Sequence, residues 1–514
     1  MAFWLVLLAL TGIVAFYYSA SRSASRGKAL AARPSGDLLN SSLSADSLAV
    51  LPFTNVRGNA NKDYLIDGIT ESLIGNLAHL PQIKVRSRDS VFRYKGKDVD
   101  VRTTGSELGV SVLVSGRVRV QDDTIEVSVD LTRVRDNTAI WGHRYTGKSA
   151  NLISIQQNMA GDIAQELRST LSSAGRQRVR QQGTQDPDAY ELYLKGRYEW
   201  NKRTLADVQA AISYFNQAID KDPAYALAYA GVADAYSVLP DFGGNPSEDY
   251  PKSNEAARKA LELDPALARP HAVLGINETE NDWDFVSGEA EFRKAIELDP
   301  NDATAHQWYG EKLSERGRHD EALAEINRAQ QLDPSSLVIR RVLGGTLLDA
   351  GRADEAIVMC RQLAQENPTF AIAHDCLVYA YWDKHMYREV VEEWKISAQM
   401  AGNPEEVSLA TAVEQGYRSA GWKGAMTRAA AALEARRTNG YASPFIIARF
   451  YASAGDNAQA FHWLDIADRE HDRLLVGIGG SQFEGLRSDP RFAKLTRKVG
   501  LPLSGASLSP SPRR

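Results

Sequence analysis

At 514 residues the chain is long enough for about three domains of ordinary size. Its 43% hydrophobic and 24% charged residues exclude a polytopic membrane protein, collagen and a wholly disordered tail. A net charge of -5 argues against bulk attraction to nucleic acid, and two cysteines exclude a disulfide framework or a Cys-rich metal site. The charge is uneven: residues 1–185 carry 23 basic and 16 acidic side chains, and residues 186–514 carry 37 and 49, which places a domain boundary near Gln185.

Residues 2–20 contain no charge and would span about 28 Å as a helix, enough for a hydrocarbon core. Phe3, Trp4, Tyr17 and Tyr18 stand at its ends as interfacial anchors would. A single-pass transmembrane anchor over 1–20 is therefore expected, with a cleaved signal peptide as the alternative. Arg22, Arg26 and Lys28 follow it, and the positive-inside rule places the rest of the chain in the cytoplasm. Residues 21–45, rich in Ser, Ala and Gly, read as a flexible linker.

Residues 46–175 read as a small α/β domain with a mixed sheet. Ser47–Phe53 is an apolar run suited to a buried strand. Leu65, Ile69, Leu73, Ile74 and Leu77 fall at helical spacing, ahead of Pro81. Ile83–Arg88 alternates as a strand, with Lys84, Arg86 and Arg88 on one face. A short helix is expected at Thr104–Leu108. Ser111–Val120 and Thr124–Arg133 then form a hairpin about Gln121-Asp122-Asp123, Thr138–Thr146 extends the sheet, and Leu152–Leu171 closes the domain as an amphipathic helix. The predicted order is β-α-β-α-β-β-β-α.

The blocks SLAVLPFTN (47–55), YLIDGITESLIGNL (64–77), VFRYK (91–95), LVSG (113–116) and WGHRY (141–145) resemble the TolB-like amino-terminal domain, a bacterial module that precedes tetratricopeptide repeats. The resemblance implies envelope or signal-transduction scaffolding, a periplasmic location for the soluble part, and no catalytic residue. The glycines near the first strand form neither G-x-G-x-x-G nor a P-loop, so no nucleotide cofactor is expected. Lys84, Arg86, Arg88, Arg93, Lys95 and Lys97 make a basic stretch. It is either a solvated strand face or a patch for anionic partners.

From Asp186 the argument is periodicity. Asp-Pro pairs at 222–223, 264–265, 299–300 and 333–334, continued by Asn367-Pro368, place prolines 42, 35, 34 and 34 residues apart. Thirty-four is the tetratricopeptide period. Gly275, Gly310 and Gly344 mark close helix approaches, while Ala211, Ala322, Ala356, Ala218, Ala260, Ala295 and Ala329 supply a small-residue seam and Phe215, Phe292 and Ile326 its large partners. Each proline suits a helix start, where its missing N–H costs nothing. The longer 42-residue interval fits an extended loop at Leu239–Pro251. The chain therefore resembles tetratricopeptide repeat (TPR) proteins over 186–404, with degenerate helical pairs and a cap over 405–502 and a Ser/Pro-rich tail over 503–514.

The nine histidines make no zinc motif, and no nucleophile motif occurs, so a non-enzymatic chain without metal or cofactor is expected. Cys360 and Cys376 fall on neighbouring helices; free thiols are the default and a disulfide the alternative. The expected fold is thus an anchor, an α/β domain and an all-α superhelical solenoid. The expected function is a membrane-anchored protein–protein scaffold in an envelope or signalling assembly at the inner membrane. Its partners would be a lipid bilayer through residues 2–20 and a protein or peptide in a groove lined by Tyr229, Val232, Tyr236, Gln307, Glu311, Arg340, Arg341 and His374. The alternative is a ligand-sensing regulatory subunit that controls a separate nucleotide cyclase, kinase or transcription factor.

Overall fold

The computed structural model describes residues 47–501, apart from 57–59, 79–82, 168–182, 243, 335 and 439–440. A mixed sheet opens the described chain. Its strands are β1 (Ser47–Val50), β2 (Thr54–Asn55), β3 (Lys84–Val85), β4 (Val112–Gln121), β5 (Thr124–Arg133) and β6 (Thr138–Lys148). The order is β3-β1-β4-β5-β6, with β2 also paired to β4. Pairs among β1, β2, β3 and β4 are parallel, and β4, β5 and β6 form an antiparallel meander. Helices α1 (Asp63–Ala78), α2 (Arg88–Phe92), α3 (Val101–Leu108) and α4 (Leu152–Glu166) complete the domain. Leu65, Ile69, Leu73 and Ile74 are buried on α1, as their spacing requires. The β4–β5 turn is the two-residue Asp122-Asp123, where Asp122 takes φ 50° in the left-handed region.

Two strands are shorter than the sequence predicts. The run over 47–53 pairs only to Val50. The run over 83–88 pairs only at Lys84 and Val85, because Ser87 turns to cap α2 and accepts from the Ser90 N–H. Arg86 consequently leaves the strand face and lies buried, 5% exposed.

Helical pairs follow: α5 (Pro187–Trp200) with α6 (Leu205–Lys221), α7 (Ala226–Val238) with α8 (Pro246–Leu263), α9 (Ala268–Glu280) with α10 (Phe285–Leu298), α11 (Ala303–Glu315) with α12 (His319–Leu332), α13 (Leu337–Asp349) with α14 (Ala353–Glu366), and α15 (Ala371–Asp383) with α16 (Tyr387–Ala401). The alanine seam and Phe215, Phe292 and Ile326 are fully buried. A Cβ on Gly310 would stand 2.6 Å from the Ile326 side chain, and one on Gly275 3.0 Å from Phe292, so these glycines let the helices of a pair touch.

The repeat prolines do not start helices. Each first helix begins three residues later, and Asp222, Asp264, Asp299, Asp333 and Asn367 are instead the C-caps of the second helices. The Oδ1 of Asp222, Asp264 and Asp299 accepts the backbone N–H two residues on, at 3.0 Å each. Asp-Pro therefore stops one helix and turns the chain. The long interval is also different from an extended loop: Leu239–Phe242 forms a 3-10 turn and α8 runs 18 residues with Pro251 inside it.

Beyond α16 come α17 (Pro404–Arg437), broken at Ala420 and Gly421, then α18 (Pro444–Ser453), α19 (Asn457–Arg469), the 3-10 segments Arg473–Gly479 and Ser481–Leu486, and α20 (Pro490–Lys498). Cys360 on α14 and Cys376 on α15 form a disulfide, Cα–Cα 5.8 Å, in place of the free thiols expected. Both sulfurs lie beside Gly344, where an added Cβ would stand 2.5 Å from Cys376 Sγ and 2.9 Å from Cys360 Sγ.

The transmembrane part of the expected fold is corrected. Among the described residues no helix is long and apolar enough to cross a membrane, and segment 2–20 lies outside the described residues, as does the linker 21–45. The single-pass anchor, the bilayer partner, the inner-membrane location and the anchored scaffold built on them are set aside. The α/β domain and helical solenoid remain.

Candidate functional site: the inner face of the repeats

The first helices of the pairs turn one face inward, and the chain itself meets much of that face. On the N-terminal half stands the α/β domain. Arg197 of α5 donates from Nε to Glu71 of α1 at 2.7 Å, and Arg88 donates to the other Glu71 oxygen at 3.1 Å. Arg197 also reaches Asp234 of α7 at 3.3 Å, and Arg269 of α9 donates to Asp234 at 2.7 Å. Burial works to raise the Glu71 carboxyl, but Arg197 and Arg88 outweigh it and hold it below the usual range. Tyr64 donates to Glu191 at 2.7 Å nearby. A second tie crosses to α12. Arg86 donates to the carbonyls of Leu108 (2.6 Å) and Gly109 (2.8 Å) in its own domain, and to those of Gln331 (3.1 Å) and Leu332 at the end of α12. A cation suits the negative end of a helix. Ser87 adds a hydrogen bond to Asp333 at 2.6 Å.

On the C-terminal half, Arg473 donates to Asp241 at 2.5 Å and to Glu280 of α9 at 3.1 Å. His471 meets the Asn281 carbonyl and stacks on Trp283 at 3.9 Å between ring centroids. Lys312 lies between Glu280 (3.1 Å) and Glu315 (2.8 Å). Burial opposes the Glu280 charge, yet Lys312 and Arg473 bring it down to about 2; burial pushes Glu315 up to about 7 against Lys312.

Between this segment and α11, α13, α15, α17 and α18 lies a cavity of about 1720 Å³. Its walls repeat with the 34-residue phase: Glu315, Asp349 and Asp383 are equivalent positions on successive first helices. Arg341, Tyr379 and Trp382 also line it.

Of the eight groove residues expected from sequence, Arg341 lines this cavity. Arg340 and His374 are held at the seam inside their pairs, by Glu366 at 2.8 Å and Glu393 at 2.6 Å. They continue a series, Tyr229, His271, His306, Arg340 and His374, with the spacing of the prolines. His271 pairs with Glu291 and His306 with Glu325, both at 2.5 Å. The recurrence of His with Glu 19 or 20 residues on was a legible signal for this seam. Val232 is buried, Tyr229 packs beside Ala226 and Leu261, Lys252 lies over the Tyr236 ring, and Gln307 donates to Glu311 at 3.0 Å.

The six basic residues are divided in a similar way. Arg86 is buried as described, Arg88 pairs with Glu71, Lys95 with Asp67 at 2.7 Å, and Arg93 with Glu107 at 3.7 Å. Lys84 and Lys97 are exposed. Among the described residues no group of three or more His, Cys, Asp or Glu is placed to hold a metal ion.

Residues 291–324 match the tetratricopeptide repeat family. They run from α10 into α12. The chain is similar to "Putative adenylate cyclase 3" of Rhizobium meliloti (strain 1021), 30% identical over 234 residues, which is 45% of this chain and 40% of that protein. It is also similar to "Transcriptional regulator HilA" of Salmonella typhimurium, 24% identical over 283 residues, 54% of this chain and 49% of that one. The matched part is less than half the length of each of these relatives. Among solved structures, yeast Tom70 is similar over 68% of this chain and 82% of its own, at 13% identity and a TM-score of 0.39. The earlier resemblance is narrowed accordingly: the tetratricopeptide family matches over residues 291–324, and the membrane-anchored TolB-like designation is not carried further.

Proposed function

We propose that this non-enzymatic chain is a regulatory module, in which the α/β domain and the repeats act together on a separate effector such as a nucleotide cyclase or a transcription regulator. The observation that carries the reading is the Glu71–Arg197–Asp234–Arg269 chain of charges, half-buried at three positions and buried at Asp234. It links the α/β domain to three successive first helices, so a change in one part is felt in the other. A scaffold needs no such tie. The two bacterial relatives support the reading, since their names denote a cyclase and a transcriptional regulator. The open part of the inner face, around Arg341 and Tyr379, would take the protein partner.

The test is deletion of the gene in its source organism, with cyclic AMP and transcript levels as readouts. Restoration by the natural chain but not by Arg197→Met is expected. Unchanged cyclic AMP and unchanged transcripts would sink the proposal.

A further inference from the structure

Four successive first helices end on an acid. Glu280, Glu315, Asp349 and Asp383 are the last residues of α9, α11, α13 and α15, spaced 35, 34 and 34 residues apart. Each carboxylate stands at the negative end of a helix dipole, so each gains from a cation. The chain supplies cations to the first two: Lys312 lies between Glu280 and Glu315, and Arg473 reaches Glu280 from the C-terminal segment at 3.1 Å. Asp349 accepts the Ser314 hydroxyl at 2.7 Å, but neither it nor Asp383 forms an ion pair among the described residues. Both line the cavity of about 1720 Å³, and neither is buried. Loss of surrounding water raises the Asp349 carboxyl and the neighbouring Asp383 charge adds to the rise, against the Ser314 hydroxyl and His319. Cations that share the cavity are placed elsewhere. Arg341 stands eight residues before Asp349, about 12 Å along α13. Arg436 pairs with Glu405 and Glu406, Arg487 donates to the Gly479 carbonyl, and the Arg449 guanidinium lies over the Tyr379, Trp382 and Phe450 rings.

The cavity exceeds the about 300–1,000 Å³ of small-molecule sites, so its size suits a stretch of polypeptide. Leu501, the last described residue, lines it. Thirteen residues follow, PLSGASLSPSPRR (502–514), with no acid and with Arg513 and Arg514. The twelve residues from Leu501 to Arg513 span up to about 40 Å when extended, several times the roughly 10 Å between packed helices. The same segment that already sets Arg473 on this row of acids thus carries the next cations. We propose that residues 502–514 dock in the cavity with Arg513 and Arg514 on Asp349 and Asp383, completing the row that Lys312 and Arg473 begin. The tail then occupies the inner face that the regulatory reading above gives to a protein partner, and the two compete; only this consequence rests on that reading.

Photo-cross-linking of the full-length chain tests the docking. Ser511→Cys gives the tail a single thiol for a benzophenone label, since Cys360 and Cys376 are paired. Irradiation of a dilute sample is expected to join the label to residues of α13 or α15 within one chain, as read by mass spectrometry. Asp349→Asn with Asp383→Asn should lower the yield by about threefold or more, and so should raising the salt from about 0.05 M to about 0.5 M. Asp349→Lys with Asp383→Lys should abolish the cross-link, and adding Arg513→Glu and Arg514→Glu should restore it, which a misfolded chain could not do. Cross-links that fall on other helices, that join two chains, or that persist unchanged in the Asn and Lys variants overturn the assignment. Such a result leaves control of an effector intact, and unchanged cyclic AMP and transcripts in the deletion strain leave the docking intact.

Discussion

Arg197→Met removes the cation on which the tie between the α/β domain and the repeats is centred. Its side chain is 17% exposed, and it sits between Glu71 at 20% and Asp234 at 4%. Removing one partner of a buried ion pair costs about 3–5 kcal/mol when the other charge is left alone. Here neither carboxylate is left alone: Arg88 stays 3.1 Å from Glu71 and Arg269 stays 2.7 Å from Asp234. Methionine also keeps most of the stem beside Trp200, whose ring lies 4.6 Å from the guanidinium. The expected loss is therefore about 2–3 kcal/mol, below the full penalty. Urea unfolding followed by circular dichroism, on the single variants Arg197→Met and Glu71→Gln and on their double variant, measures it. The coupling between the two positions should be about 1–2 kcal/mol, because they share one network. Unfolding of a chain this long need not be two-state, so the cycle is read from shifts of the first transition. A loss within about 0.5 kcal/mol, or strict additivity, would refute the claim that the charges join the two parts.

Three further outcomes follow from the same geometry. Glu278 is pushed up to about 7 by burial and then by Glu291 and Asp284, so the folded state holds a proton that the unfolded chain has released between about pH 4.5 and 7. Its stabilising share is present below the unfolded value and lost as pH rises through about 7, so Glu278→Gln should raise the melting temperature more at pH 8 than at pH 5; equal gains would contradict it. Gly416→Ala would place a Cβ 2.3 Å from the Gly424 carbonyl oxygen and should cost about 1–3 kcal/mol, whereas Gly345→Ala, with open space, should be neutral or stabilising by up to about 1 kcal/mol in chemical unfolding. Thiol titration of the unreduced protein should find no free cysteine, and reduction should cost about 3 kcal/mol for a 16-residue separation; two titratable thiols without reductant would refute the pairing.

What the sequence disclosed follows from which contacts repeat. The alanine seam, Gly310 against Ile326, and Gly275 against Phe292 recur at one phase, so a single period locates them all. The hairpin at Asp122-Asp123 was equally legible, because its signal and its structure are both local. Local signals misled where one residue type serves two purposes. Asp-Pro reads as a helix start from proline alone, yet the Asp side chain makes it a stop. Arg86 reads as a strand-face cation from alternation alone, yet its acceptors at Gln331 and Leu332 lie some 245 residues away. Contacts of that separation leave no trace in spacing or composition.

The same limit governs the candidate site. Position within a repeat says that Arg340 and Arg341 are adjacent on a first helix; it does not say which is taken by Glu366 and which faces the cavity. Nor could it say that the α/β domain and the Arg473 segment would meet the inner face from two sides. A repeat surface offered to partners is generic, but one already engaged by its own chain has to compete, release or share. The Arg473 segment is tied to that surface through Asp241 and Glu280, which makes it the element a partner on the C-terminal half of the inner face would have to displace or share.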